Sequence, residues 1–157
     1  MDHPEILPQH RWLERLLGTW RYEAEAEEAG GEVHRVEGSE TFRRVGGVWF
    51  VSESDGDGAQ GIMTLGYDAT RSRFVGSYLS SMMTHLWIYE GRLDHDNRRL
   101  VLECEGPSME DPLVMAPYQD ILEFVGDDER VLTSRYRDKA GDWRGFMTMR
   151  FWRTGPA

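Results

Sequence analysis

Hydrophobic and polar residues alternate one by one along most of the chain. In the stretch "TWRYEAEAE", Trp20, Tyr22, Ala24 and Ala26 fall on one face, and the charged residues between them fall on the other. Strict alternation is typical of a β-strand with one buried face. Segments of the same kind follow, separated by short turns rich in Gly, Asp and Asn, and they predict about ten strands in all.

One segment departs from this alternation and predicts a helix near the N-terminus. In "PQHRWLERLLG", Pro8 suits the first position of a helix, and Gly18 suits the position just after its end. The apolar residues between them form a single stripe at helical spacing, namely Trp12, Leu13, Leu16 and Leu17. We predict a helix of about ten residues at this point.

The regular series of strands predicts how the chain closes. Strands with short connections form an up-and-down antiparallel barrel most readily, because closure removes the exposed sheet edges. The predicted fold is therefore an all-β barrel of about ten strands, with the short N-terminal helix plugging one end. Residues 1–7 are expected to form a flexible arm, and residues 8–157 a single domain. Two small inward residues, Ala24 and Ala26, predict a cavity inside the barrel.

Charge and cysteine content exclude several classes of function. A formal net charge of −10 repels phosphate backbones and anionic lipids, so neither a nucleic-acid partner nor a membrane partner is expected. Cys104 is the single cysteine, so no disulfide forms within the chain and a reducing compartment fits. The N-terminus lacks a signal-peptide pattern, and no stretch approaches the ~18 apolar residues of a membrane span. These features predict a cytoplasmic protein.

The stretch "SSMMTHLWIYEG" carries the most distinctive candidate residues. His85, Trp87 and Tyr89 share one face of a predicted strand, and Met82 and Met83 precede them. If this face points inward, the histidine is a polar anchor in the cavity, as a hydrogen-bond partner, a general base or the axial ligand of a haem. If it points outward, the same residues form an aromatic patch for a partner or a second copy of the chain. Alternation alone leaves both orientations open.

Three carboxylates lie on faces that are otherwise apolar. Glu40 shares a face with Phe42, Glu53 shares one with Trp49, and Asp120 shares one with Leu122. Burying such an acid is costly unless it is paired, so each indicates either an ion pair in the barrel wall or an acid/base partner for His85. The spacing of the histidines and of Cys104 matches no metal site, and none is predicted.

Four stretches together resemble the bacterial domain-of-unknown-function family 1579 over roughly residues 8–153. They are "HRWLERLLGTWRYEAE", "ETFRRVGGVWFVSE", "GIMTLGYDATRSRFVGSYLSSMMTHLWIYEGRLD" and "YQDILEFVGDDERVLTSRY". The resemblance implies a calycin-like or lipocalin-like barrel and supplies no catalytic residues. The Gly18 and Trp20 pair is also similar to the start of calycin barrels, where the Trp packs under an Arg of the last strand. Arg150 and Arg153 are the candidates for that arginine.

The leading functional hypothesis is the binding of a small, mostly apolar ligand inside the barrel. The lining candidates are Trp20, Tyr22, Met63, Met82, His85, Trp87, Tyr89 and Asp120. Three alternatives stay open at this point. They are an enzyme that uses His85 with Glu40, Glu53 or Asp120 for acid/base chemistry, a haem protein with His85 as axial ligand, and a homodimer.

Overall fold

A computed structural model describes residues 1–28 and 30–156 as one short helix followed by ten strands. The helix α1 spans Pro8–Glu14. The strands are β1 (Gly18–Glu27), β2 (Val33–Val45), β3 (Trp49–Gly56), β4 (Ala59–Asp68), β5 (Arg73–Ser80), β6 (Trp87–Leu93), β7 (Arg99–Pro107), β8 (Met115–Gly126), β9 (Glu129–Arg137) and β10 (Trp143–Gly155). The last residue of the predicted domain, Ala157, lies outside the described part of the chain.

The ten strands form a closed antiparallel barrel. Each strand pairs with the next along the chain, and β10 pairs back with β1, so the described sheet has no free edge strand. The predicted all-β, up-and-down barrel with one short helix is therefore confirmed. Successive strands run in opposite directions, so the connections alternate between the two ends of the barrel. We call the end covered by α1 the closed end, and the opposite end, formed by residues 28, 30–32, 57–58, 81–86, 108–114 and 138–142, the open end.

The helix is shorter than the sequence predicts. It ends at Glu14, and Gly18 is the first residue of β1 and not the residue that ends the helix. The φ angle of +116° explains the glycine at this position, since L side chains rarely adopt that conformation. At the other terminus of the helix, the backbone N–H of Leu7 donates to Nδ1 of His10 at 2.9 Å, which satisfies one of the free amides there.

The closed end is built around Trp20, which has no exposed surface. Its indole Nε1 donates to the carbonyl oxygen of Leu16 at 2.8 Å. The Arg153 guanidinium carbon lies 4.2 Å from the centre of the indole ring, so the predicted stacking arginine is Arg153. Arg150 is exposed. A second arginine that the sequence does not single out, Arg130, also lies over this ring, at 4.7 Å.

The segment "DGDGAQG" contains a tight turn. The strand β3 runs to Gly56 and β4 begins at Ala59, which leaves Asp57 and Gly58 as the connection. Both have positive φ angles, 52° and 77°, as the two-residue turns of hairpins require. In the described residues, no helix is both long and apolar enough to cross a membrane.

Candidate functional site

The interior of the barrel differs between its two ends. Near the closed end the inward-facing side chains of Phe50, Leu65 and Leu100 have no exposed surface. Toward the open end, inward-facing residues such as Ala24 and Val36 are partly exposed. The inward-facing residues of the closed half are therefore more completely buried than those of the open half. Packing is looser toward the open end than at the closed end.

The two sides of this open half are built from different residues. The side formed by β1 to β5 carries small inward-facing residues, namely Ala24, Ala26, Gly38, Ser54, Gly56 and Gly61. The ring of Tyr22 lies against Gly38 and Gly56 so closely that neither position has room for a Cβ atom. Gly38 and Gly56 thus make room for the Tyr22 ring, and the other small residues add little side-chain volume to this side of the interior.

The side formed by β6 to β10 is aromatic. The ring centres of Trp87 and Tyr118 are 4.8 Å apart, and those of Tyr118 and Phe146 are 5.8 Å apart. Tyr136 joins the same group, with its ring centre 6.0 Å from that of Tyr118. Edge-to-face contacts at such distances stabilise aromatic clusters. We call Trp87, Tyr118, Tyr136 and Phe146 the aromatic wall.

Glu40 forms an ion pair with Arg130 on the inward face, at the boundary between the two halves. Both side chains are nearly inaccessible, and Ser52 Oγ donates to Glu40 Oε2 at 3.1 Å. The guanidinium carbon of Arg130 lies 3.7 Å from the ring centre of Phe151. Burial lowers the pKa of Arg130, and the neighbouring carboxylate opposes that shift. This pair confirms the structural interpretation of Glu40 as part of a buried ion pair.

Asp120 also faces inward, but its partners are neutral. Tyr89 Oη donates to Oδ2 at 2.5 Å, and Ser134 Oγ donates to Oδ1 at 2.5 Å. Burial raises the pKa of the Asp120 carboxyl, and the two hydrogen bonds only partly offset this effect. Burial and the nearby carboxyl also raise the pKa of Tyr89 well above its usual range.

The raised pKa of Asp120 leads to a prediction about pH. The folded protein holds this proton more tightly than the unfolded chain, whose carboxyl titrates near its ordinary value of 3.8. The contribution of Asp120 to stability is therefore fully present below that pH and is lost as the pH rises through the folded pKa. We expect the free energy of unfolding of the Asp120→Asn variant, relative to wild type, to increase between about pH 4 and about pH 8.

Urea titrations of both proteins across this range measure the difference. The matched control is Glu53→Gln, which removes the same charge from the outer surface of the barrel. A constant or decreasing difference for Asp120→Asn would show that the carboxyl is not destabilised by burial.

The strand β6 directs Trp87 and Tyr89 inward. Tyr89 is buried, while Ile88 on the opposite face is exposed. His85 itself precedes β6, at the rim of the open end, where its Nε2 lies 2.8 Å from the carbonyl oxygen of Glu105. Its ring centre is 4.7 Å from that of Trp87. This hydrogen bond connects the loop before β6 to the end of β7.

The barrel wall is split at this place. Pairing between β6 and β7 ends at Glu90 and Glu103, although β7 continues to Pro107. Trp87 occupies the split, and its ring leaves no room for a side chain at Gly106. A groove of about 820 Å³ runs over the outside of the split, and its lining includes His85 and Cys104. Burial raises the pKa of the Cys104 thiol to about 12, which leaves it protonated and unreactive near neutral pH.

The structure brings only some of the predicted site residues together. Five of them face the interior, either level with the buried ion pair or closer to the open end. They are Tyr22, Met63, Trp87, Tyr89 and Asp120. Trp20 faces inward too, but the closed end covers it completely.

Two of the predicted residues are not in the interior at all. Met82 is 73% exposed in the loop before β6, so it does not line the cavity. Glu53 is exposed, because β3 directs Phe50 and Ser52 inward and so turns the intervening residues outward. In the described residues, His85 makes no hydrogen bond to Glu40, Glu53 or Asp120, so the predicted acid/base pair is not assembled.

Several interior residues are absent from the sequence-based prediction, among them Tyr118, Tyr136 and Phe146 of the aromatic wall. Tyr78 shares the inward face of β5 with Phe74, and that alternation could have identified it. Ser134 and Arg130 share the inward face of β9, where a polar residue gives no signal of burial. Only the pairing of the whole barrel brings them to Asp120 and Glu40.

The ligand atoms of one group of potential metal-binding residues lie within 4.8 Å of one another. It consists of Glu28 and Glu32 in the turn between β1 and β2 and His34 at the start of β2, all of them exposed. Exposed acidic groups commonly lie together without an ion, so this group carries no argument for a metal site.

Comparison with known proteins identifies a family and a fold. The family model described as "Protein of unknown function (DUF1579)" matches residues 5–153. No curated protein matches the chain. The solved structure of an S-type phycobiliprotein lyase from Guillardia theta is similar, with 15% identity, a TM-score of 0.59, and coverage of 96% of this chain and 95% of that one. Rv2717c from M. tuberculosis is similar at 13% identity, with a TM-score of 0.62 and coverage of 96% and 99%. At these identities the likeness shows the fold alone.

Proposed function

The chain belongs to the DUF1579 family of proteins of unknown function, and on that premise we propose that it binds a small, mostly apolar ligand in the open half of its barrel. The observation that carries this proposal is the partial exposure of inward-facing residues, such as Ala24, Val36 and Met149, inside a closed barrel. A concave wall of incompletely buried apolar residues with a few polar groups is the usual setting of small-molecule sites. Asp120 and Tyr89 place polar groups at the bottom of that space.

A blocking substitution tests the proposal. Ala24 pairs with Met149 on one side and with Val36 on the other, so a large side chain there would fill the interior. We expect wild type to bind the neutral dye Nile red with increased fluorescence, and Ala24→Trp to weaken that binding about tenfold or more. Glu25→Trp is the matched control, because it places the same ring on the outer face of the same strand.

Folding of each variant is checked by circular dichroism and thermal unfolding. If Ala24→Trp does not fold, Ala26→Phe blocks the space closer to the open end and takes its place. Equal dye binding by wild type, the blocking variant and Glu25→Trp would exclude the interior as the binding site. Native mass spectrometry of the purified protein then measures any retained ligand as excess mass that is lost on denaturation.

The geometry gives less support to the other functions. Acid/base catalysis needs His85 within reach of a carboxylate, and its hydrogen bond goes to the backbone of Glu105 instead. The same bond occupies Nε2, one of the two nitrogens that could bind a haem iron. Self-association stays a prediction, which the mass of the protein in solution would test. The exposed Leu86 and Ile88 beside the groove are the surface that it would use. Cytoplasmic location also stays a prediction.

A further inference from the structure

No cation lies beside the Asp120 carboxyl in the described structure. Arg130 is the cation that the described strands direct into the middle of the interior, and it is already paired with Glu40. None of the ion pairs in the described part of the chain includes Asp120. Tyr89 and Ser134 hold the carboxyl group in place but bring no positive charge. Without a cation the ionised form of this carboxyl is unfavourable, so a cation that reaches it stabilises the ionised form.

The aromatic wall lies on the way from the open end to Asp120. On β8, Tyr118 is the next inward-facing residue toward the open end, and it pairs with Tyr136 of β9. Tyr78 of β5 pairs with Trp87 of β6 on the other side. The faces of such rings attract organic cations, and the attraction grows where water is excluded.

The open end is acidic. Its five loops contain seven acidic residues and one lysine, Lys139. The acidic residues are Glu28, Glu32, Asp57, Glu110, Asp111, Asp138 and Asp142. Although Asp138 is engaged by Arg144, a rim of this composition raises the local concentration of cations and repels anions.

These three observations together indicate the class of ligand. We infer that the interior selects a ligand whose apolar body carries an ammonium group, and that Asp120 binds the ammonium while the aromatic wall and the methionines of β10 contact the body. This inference rests on the proposed function, since it names the class of ligand for the same space. A carboxylate ligand of the same size is disfavoured by the acidic rim and by Asp120.

Three probes with one apolar chain and different head groups test the inference. They are octyltrimethylammonium, 1-octanol and octanoate, each titrated below micelle-forming concentrations against Nile red bound to the protein. We expect the ammonium to displace the dye at about tenfold or more lower concentration than the alcohol, and octanoate to be the weakest of the three. In Asp120→Asn the preference for ammonium over alcohol should fall below about threefold.

The control separates Asp120 from the general negative charge of the protein. Glu53→Gln changes the net charge by the same amount on the outer surface, and its head-group preference should equal that of wild type. Equal displacement by all three probes, or an unchanged preference in Asp120→Asn, would overturn the inference while Nile red binding still supports the proposed function. Failure of the dye to bind, or equal binding by Ala24→Trp, would instead overturn the proposed function and the inference with it.

Discussion

The Glu40→Gln substitution is expected to lower the free energy of unfolding by about 3–5 kcal/mol, because it leaves the buried Arg130 guanidinium without a counter-charge. The side chain of Arg130 is 3% exposed, so water cannot replace the lost carboxylate. Its Nε atom already lacks a hydrogen-bond partner. The remaining contacts, with the rings of Trp20 and Phe151, stabilise a cation by far less than a paired carboxylate in the same place. Urea unfolding followed by tryptophan fluorescence measures this loss in the free energy of unfolding.

An exposed pair on the outer face provides the comparison for this prediction. Glu90 bridges Arg71 and Arg73 with about half of each side chain exposed, so Glu90→Gln should cost far less stability than Glu40→Gln. The double variant Glu40→Leu with Arg130→Met should recover most of the stability, since it removes both charges and keeps the volume apolar. Equal losses for the two single variants would mean that the Glu40 pair is solvated and not buried.

Local patterns were sufficient to predict the barrel and its strands. Strict alternation in β1 identifies Trp20 and Tyr22 as inward-facing, and the turn residues between segments mark all ten strands. The error in the helix came from the same reasoning. Leu16 and Leu17 continue the helical stripe in the sequence and are buried. They lie in the turn that leads into β1, however, and not in the helix.

The candidate site was less predictable because its parts come from distant strands. Asp120 and Glu40 are acids on apolar faces, and that signal correctly placed both on the inner side of the wall. The same signal failed for Glu53, since the exposed ring of Trp49 makes an outward face resemble an inward one. His85 was the most conspicuous residue in its segment, yet its partner is a backbone carbonyl that no side-chain pattern reveals.

The Trp12→Ala substitution tests whether the closed end acts independently of the open half. Trp12 belongs to α1, and its ring packs edge-on against Phe124 with 5.2 Å between ring centres. Its Nε1 donates to the carbonyl oxygen of Asn97 at 2.9 Å, which attaches the helix to the loop between β6 and β7. Removing a buried indole should lower the free energy of unfolding by about 3–5 kcal/mol. Thermal and urea unfolding measure the loss.

The exposed side of the same helix supplies the control. Arg11→Ala removes a side chain that is 64% exposed and pairs with Glu14, so the change should stay within about 0.5 kcal/mol. Nile red affinity of folded Trp12→Ala should equal that of wild type, because Phe50, Leu65 and Leu100 fill the barrel between the helix and the open half. A large loss of dye binding in the folded variant would show that the ligand space extends down to the helix. Unchanged binding with reduced stability would establish that α1 stabilises the barrel without forming part of the site.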